Sequence, residues 1–240
     1  MTIEHFLLTA ELQTILLGLL AVLCFIRYRS RNSVVRTLGF IFLSGFLANV
    51  CSWLLTRTGV FREFSNLPGI FYFVVSIGLF SFLYIVVLFR KKPLLVVLIT
   101  AVSAILAFIN FYHVQKTSVN SNVFVIHAGM LISYSLWYFH VLMRDLPSLH
   151  VHRMPMFWFN SAFLVLGAGT FVLYVFTSYL IHVLRDDMVT YWSIHNLLSI
   201  FAHLIVLVGL YFDFIDLKSQ QVGRNAGQIF SKKNRPAASG

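Results

Sequence analysis

Charged residues are scarce in this chain of 240 residues: they make up 11% of it, against about 25% in a typical soluble domain. Hydrophobic residues make up 59%, and the mean hydropathy is +0.83. This balance excludes an ordinary soluble domain and predicts an integral membrane protein, whose first partner is the lipid bilayer. The net charge of +10 does not indicate nucleic-acid binding, because the basic residues lie in short gaps between apolar runs.

Several motifs that carry chemistry are also missing. The two cysteines cannot form a disulfide framework. There is no phosphate-binding loop, dinucleotide fingerprint, GxSxG, CxxC or HExxH motif. The last apolar run has no lysine that could bind retinal as a Schiff base. The sequence therefore identifies no catalytic residue and favours a role other than catalysis.

Apolar runs long enough to cross a bilayer, which takes about 20 residues, recur along the whole chain. There are seven, at residues 6–26, 37–56, 68–89, 94–113, 122–143, 156–182 and 191–214. We therefore predict an all-α fold in which residues 1–216 form seven transmembrane helices. The remaining residues, 217–240, are polar and basic, and we expect them to form a flexible tail.

The lysines and arginines predict the orientation of these helices. Four arginines lie between the first two runs and five basic residues lie in the tail, on the same predicted side. The opposite side holds only Arg57, Arg62, Lys116 and Arg185. Because basic loops stay in the cytoplasm, we expect the N-terminus outside and the C-terminus inside.

The last apolar run combines membrane-spanning length with a row of polar residues. His195, Asn196, Ser199 and His203 fall within about 100° of arc when counted at about 100° per residue. Polar side chains that face lipid are costly, so this stripe should face other helices or a cavity.

Other ionisable residues are expected at a similar depth. His113 and His182 lie at the outer ends of the fourth and sixth predicted helices, and Glu11 lies in the outer part of the first. In the fifth, His127 shares a face with Tyr134, seven residues later. We therefore predict a pocket in the outer half of the bundle, lined by Glu11, His127, Tyr134, His195, Asn196 and His203.

Three interpretations of the histidines remain open. They could be hydrated at the interface or make single hydrogen bonds between helices. They could line a pocket for a small ligand or a proton, because imidazole titrates near neutral pH. They could also bind a transition metal or haem, with His113, His127, His182, His195 and His203 as candidate ligands. His195 and His203 are eight residues, or about 12 Å, apart on one helix, so one metal ion would need ligands from other helices.

The last third of the chain resembles a group of uncharacterised bacterial seven-helix membrane proteins. The resemblance lies at the start of the sixth and seventh helices, in Pro155, Phe157, Trp158, Trp192, Ile194, His195 and Asn196. It implies a bacterial inner-membrane module of the kind that senses a signal and works with a separate cytoplasmic histidine kinase.

Together these observations favour a multi-pass sensor or receptor that binds a small ligand without a cofactor and signals to a cytoplasmic partner. The first alternative is a redox protein or enzyme with a metal or haem. The second is a transporter, which would need a continuous polar path from the pocket to Asp213 and Asp216.

Overall fold

The computed structural model describes residues 3–58, 67–114, 121–145, 150–179 and 189–233, with side chains for 4–57, 67–114, 121–145, 150–176 and 189–219. Within these ranges every regular element is helical and there is no strand. The helices are α1 (Ile3–Phe25), α2 (Ser33–Thr58), α3 (Leu67–Ser81), α4 (Leu94–Ile109), α5 (Ser121–Asp145), α6 (Pro155–Tyr179) and α7 (Val189–Lys233). The segments Phe82–Leu88 and Asn110–Val114 continue α3 and α4 as π-helix.

The all-α prediction is confirmed, and so is the prediction of seven helices with the length and composition of membrane spans. Seven helices are long and apolar enough to cross a membrane, from Glu4–Phe25 at one end of the chain to Val189–Ser219 at the other. Large apolar side chains also cover the outside of the bundle, for example Ile15 at 66% and Phe71 at 72% exposure. Such an outer surface suits lipid, because lipid tails are as apolar as leucine.

Six of the helices form a closed ring, and α4 lies outside it. The neighbours around the ring are α1, α2, α3, α5, α6 and α7, and α7 contacts α1. α4 packs mainly on α3 and touches α5 only slightly. The inside of the ring therefore brings together residues from six helices.

The interior of the ring is apolar over much of its length. Its fully buried side chains include Leu20, Leu38, Leu83, Phe159 and Val206, contributed by five different elements. Polar residues are buried beside this core, among them Ser76, Asn160 and Ser199. Since a buried polar group costs free energy unless it is hydrogen-bonded, each of these side chains needs a partner inside the bundle.

The turn between α1 and α2 is held from within by an arginine. Arg27 adopts a left-handed conformation (φ 58°), which commonly ends a helix. Arg31 then reaches back and donates from Nε to the carbonyl of Ile26 (3.2 Å) and from Nη2 to that of Leu23 (3.3 Å). Its Nη1 pairs with Asp213 of α7. We call the end of the bundle that holds this turn, the start of α6 and Asp213 the arginine-rich end.

α7 is much longer than the apolar run that predicts it. It continues through residues 216 and 217, where the flexible tail was expected to begin, and remains helical to Lys233. At 1.5 Å per residue its 45 residues measure about 68 Å, more than twice the roughly 30 Å of a bilayer's hydrocarbon core. The predicted boundary therefore lies inside a helix, and residues 234–240 lie outside the described part of the chain.

The π-helical segment after α3 buries three consecutive residues, Leu83, Tyr84 and Ile85. A regular α-helix turns about 100° per residue, so it does not easily place three neighbours on one buried face. The wider turn is visible in the bond from the Phe89 amide to the Tyr84 carbonyl, five residues back (3.0 Å). It brings the Tyr84 hydroxyl to Asn160 of α6, which accepts its hydrogen bond.

Candidate functional site

A cavity of about 60 Å³ lies inside the ring, on the side of the core away from the arginine-rich end. All six helices of the ring, α1, α2, α3, α5, α6 and α7, contribute residues to its wall. The wall consists of Gln13, Leu17, Gly45, Asn49, Tyr72, Phe73, His127, Leu131, Leu166, Thr170, Tyr174, His195, Ser199 and His203. Three of the histidines predicted from the sequence are among these residues.

His127 is fixed between α3 and α5. Its Nε2 lies 2.7 Å from the hydroxyl of Ser76, and both side chains are buried. The rings of Phe73 and Phe80 pack edge-on against the imidazole, at 4.9 and 6.0 Å between centroids. The hydrogen bond sets the orientation of the ring, because one nitrogen is committed to Ser76.

His195 is held between α6 and α7 in a similar way. Its Nδ1 lies 3.3 Å from the hydroxyl of Tyr174. The ring of Trp192, three residues earlier on α7, packs edge-on at 5.7 Å. Both Tyr174 and His195 line the cavity.

His203 differs from the other two because its Nδ1 has no hydrogen-bond partner among the described residues. The side chain lines the cavity, is only 7% exposed and packs edge-on against Phe42 at 5.9 Å. A buried polar nitrogen without a partner costs free energy, of the order of 1–3 kcal/mol. Such an atom beside a cavity is available to a bound molecule.

The other polar residues of the wall are uncharged. Asn49 donates from Nδ2 to the hydroxyl of Thr14 on α1 (3.2 Å), and Thr170 donates to the carbonyl of Leu166 (2.6 Å) within its own helix. Ser199 is buried on α7, one turn before His203. The lining residues include no aspartate, glutamate, lysine or arginine.

Three residues predicted for the pocket lie elsewhere. Glu11 is exposed, so the expectation that its carboxyl group points inward is wrong. Asn196 is buried, but its Nδ2 donates to Thr9 of α1 (3.3 Å) and it does not line the cavity. Tyr134 is buried too, bonded through its hydroxyl to Ser81 (2.9 Å) nearer the arginine-rich end.

The five candidate metal ligands are also divided. His127, His195 and His203 line the cavity, and His113 is exposed at the end of α4. His182 lies outside the described residues. Within the described part of the chain, no three histidine, cysteine, aspartate or glutamate side chains are grouped so that they could hold a metal ion. The cavity is also far smaller than the roughly 300–1,000 Å³ that a drug-sized ligand needs, so its geometry does not favour haem.

A second, larger cleft of about 730 Å³ opens at the arginine-rich end. Its charged and imidazole side chains are Arg31, His150, Arg153, Asp213 and Asp216. The most buried of these, Arg31 and Asp213, are already paired with each other. Among the described charged groups that line the cleft, none is a buried group without a hydrogen-bond partner, as Nδ1 of His203 is in the cavity.

On α1, α2 and α7, buried apolar residues separate the cavity from this cleft. On α7, Val206 and Leu210 lie between His203 and Asp213, and both are buried. On α1 and α2 the corresponding positions are occupied by buried Leu20 and Leu38. On α3, α5 and α6, by contrast, the polar side chains of Ser81, Tyr134 and Asn160 are buried between the cavity and the cleft. The transporter alternative, which would need a polar path between the two, therefore stays open.

Sequence reasoning alone did not place Gln13, Asn49, Tyr72, Thr170 and Tyr174 in the pocket. Gln13 and Asn49 carried a usable signal, because an amide within an apolar span must find a partner. Thr170 and the tyrosines did not, since a threonine can bond to its own helix and tyrosines are also common at membrane interfaces.

The assignment of this site rests on its geometry. Comparison of the chain with models of protein families, with curated proteins and with solved structures gives no match.

Proposed function

We propose that this protein is a seven-helix sensor of a bacterial inner membrane, which binds a small ligand in the histidine-lined cavity. Ligand binding would shift or rotate α7, and this movement would reach a cytoplasmic partner. The sequence resemblance suggests that the partner is a separate histidine kinase. In the proposed orientation, the arginine-rich end faces the cytoplasm because basic segments are retained there.

The observation that carries this proposal is the continuity of α7. The helix contributes His195, Ser199 and His203 to the cavity and continues without a break to Lys233. A helix of this kind transmits a shift or rotation along its axis because its backbone hydrogen bonds keep it stiff. No second element is needed to connect the cavity with the far end.

The attachment of α7 at the arginine-rich end supplies a point at which two arrangements could differ. Asp213 joins α7 to Arg31 in the α1–α2 turn, and Arg27 and Arg31 both lie over the ring of Phe214, at 5.8 and 5.9 Å. A ligand can bias a conformational equilibrium only through a difference in affinity for the two states. In this proposal the cavity provides that difference and the Arg31–Asp213 contact responds to it.

The test measures whether a change in the cavity moves α7 relative to the α1–α2 turn at the arginine-rich end. Spin labels are placed at Arg29→Cys and Ser219→Cys, two exposed positions at the arginine-rich end. The exposed Cys51 is replaced by serine, while Cys24 is kept because it is buried. The distance between the labels is then measured in lipid nanodiscs by pulsed electron spin resonance.

Ser199→Leu is used to fill the cavity from α7 itself, and Leu197→Phe is the matched control. Leu197 is on the same helix but is 45% exposed and does not line the cavity. We expect Ser199→Leu to shift the distance distribution by about 1–2 Å, the usual size of a helix shift, and Leu197→Phe to leave it unchanged. Equal distributions in folded Ser199→Leu and the parent would contradict the proposal.

A further inference from the structure

We infer that the ligand of the cavity is a small, uncharged molecule that both donates and accepts hydrogen bonds, and that Nδ1 of His203 binds it. This inference rests on the proposed function, since it takes the cavity to be the sensing site. It adds the chemical class of the ligand, and three features of the cavity support it.

The first feature is charge. The residues of the wall include no aspartate, glutamate, lysine or arginine, so an ionised ligand would meet no permanent counter-charge. Removing an ion from water without such a partner is costly in a low-dielectric interior. An uncharged ligand avoids this cost, and the cavity therefore selects against both anions and cations.

The second feature is the supply of hydrogen-bonding groups. The buried Nδ1 of His203 has no partner among the described residues. The hydroxyl of Ser199 and the amide of Asn49 lie on the same wall. Imidazole donates or accepts according to its tautomer, a hydroxyl does both, and an amide offers one group of each kind. A ligand that carries a donor and an acceptor can satisfy such a wall, whereas a purely apolar one leaves Nδ1 unpaired.

The third feature is size. A buried water molecule needs a cavity of about 10–15 Å³. A cavity of about 60 Å³ therefore accommodates roughly four to six water-sized groups. Ligands this small bind weakly: even at the best binding free energy per atom known for small ligands, a molecule of four non-hydrogen atoms reaches a dissociation constant of only about 40 µM. Primary amides and short polar alcohols belong to this class.

The experiment compares probes of nearly equal shape and different charge. Full-length protein in lipid nanodiscs, with ¹³C-labelled histidine rings, is titrated at pH 7.5 with acetamide, acetate or acetamidinium. Benzamide serves as a probe that exceeds the size limit. The resonances of His127, His195 and His203 report on the cavity, and exposed His140 is the internal control.

We expect acetamide to shift the cavity resonances saturably, while acetate, acetamidinium and benzamide leave them unchanged and His140 does not respond. His203→Phe, which removes both ring nitrogens, should weaken acetamide binding about tenfold through the loss of one hydrogen bond. Ser199→Leu should abolish it by filling the space. Thermal unfolding of both variants verifies that they are folded.

Binding of either charged probe as tight as that of acetamide would overturn the inference, as would unchanged acetamide affinity in His203→Phe. A titration in which no probe moves the cavity resonances would mean that the cavity holds water only, and would overturn it as well. These results are independent of the spin-label distances. A cavity that binds acetamide without moving α7 refutes the sensor, and a cavity that moves α7 without binding acetamide refutes the ligand class.

Discussion

Arg31 and Asp213 form an ion pair that is buried on both sides, with 6% and 8% of the two residues exposed. The residues are far apart in the chain, and their contact joins the first interhelical turn to the last helix. Arg31 also donates to the carbonyls of Leu23 and Ile26, so three of its nitrogens have a partner. Because the buried Arg31 guanidinium has lost its hydration, its stability depends on each of these partners.

The first prediction concerns the loss of one member of this pair. Asp213→Leu leaves the Arg31 guanidinium buried without its counter-charge, and we expect the free energy of unfolding to fall by about 3 kcal/mol. The double variant Arg31→Met with Asp213→Leu removes both charges and should recover most of that loss. Thermal unfolding in detergent checks both.

The control for this prediction is the exposed pair Arg144–Asp145. Arg144→Gln should leave the melting temperature unchanged, because exposed ion pairs are weak. A double variant of the buried pair that is no more stable than Asp213→Leu would contradict the prediction.

The second prediction concerns the contact between α6 and α7. A Cβ atom added at Gly209 would lie 2.5 and 2.7 Å from two ring atoms of Phe159, which is 1% exposed and cannot move aside freely. Gly209→Ala should therefore destabilise the protein by about 1–3 kcal/mol. Adding Phe159→Leu should recover part of this loss, as measured by thermal unfolding.

Gly69 offers a matched control in another helix. A Cβ atom there meets no atom within 4 Å, so Gly69→Ala should be neutral or stabilise the protein by about 0.5–1 kcal/mol through its helix propensity. Equal melting temperatures for the two alanine variants would show that α6 and α7 do not pack this closely.

The third prediction concerns the π-helical segment after α3. The Tyr84 hydroxyl donates to Asn160, and both residues are fully buried. Tyr84→Phe should cost about 1 kcal/mol, since hydrogen bonds between membrane helices are worth less than about 2 kcal/mol. Tyr211→Phe, at a position that is 63% exposed, is the control and should have no effect on thermal unfolding. An unchanged melting temperature in Tyr84→Phe would mean that Asn160 finds another hydrogen-bond donor.

The fourth prediction separates two histidines of the cavity by the sign of their effect. His127→Leu removes the partner of the buried Ser76 hydroxyl and should destabilise the protein by about 1 kcal/mol. His203→Leu removes a buried nitrogen that has no described partner and should raise the stability by up to about 1 kcal/mol. Thermal unfolding without added ligand distinguishes them. Destabilisation by His203→Leu as large as that of His127→Leu would show that Nδ1 is bonded within the protein.

Hydropathy was sufficient to predict the seven spans, because each apolar run is as long as a bilayer is thick. It could not predict where α7 ends, since the residues after Asp216 are polar and a polar helix has no hydropathy signal. It also could not predict that α4 lies outside the ring. That arrangement depends on packing between side chains that are all apolar.

The residues of the candidate site were predictable from the sequence only where the polar residues of a helix lie on one face. On α7 the stripe placed His195, Ser199 and His203 on one face, and these three residues line the cavity. On α1 the polar residues Thr9, Glu11, Gln13 and Thr14 lie on several sides of the helix, so periodicity did not show which side faces inward. Glu11 follows buried Thr9 by two residues, or about 200° of helical rotation, and therefore lies on the opposite, exposed side.

The length of α7 has a mechanical consequence. From His203 to Lys233 the helix runs about 45 Å at 1.5 Å per residue. By simple leverage, a tilt of about 5° with its pivot at His203 would carry Lys233 sideways by about 4 Å over that arm. A sub-ångström movement of α7 close to His203 would thus move the C-terminal end of the helix by about the diameter of a methyl group.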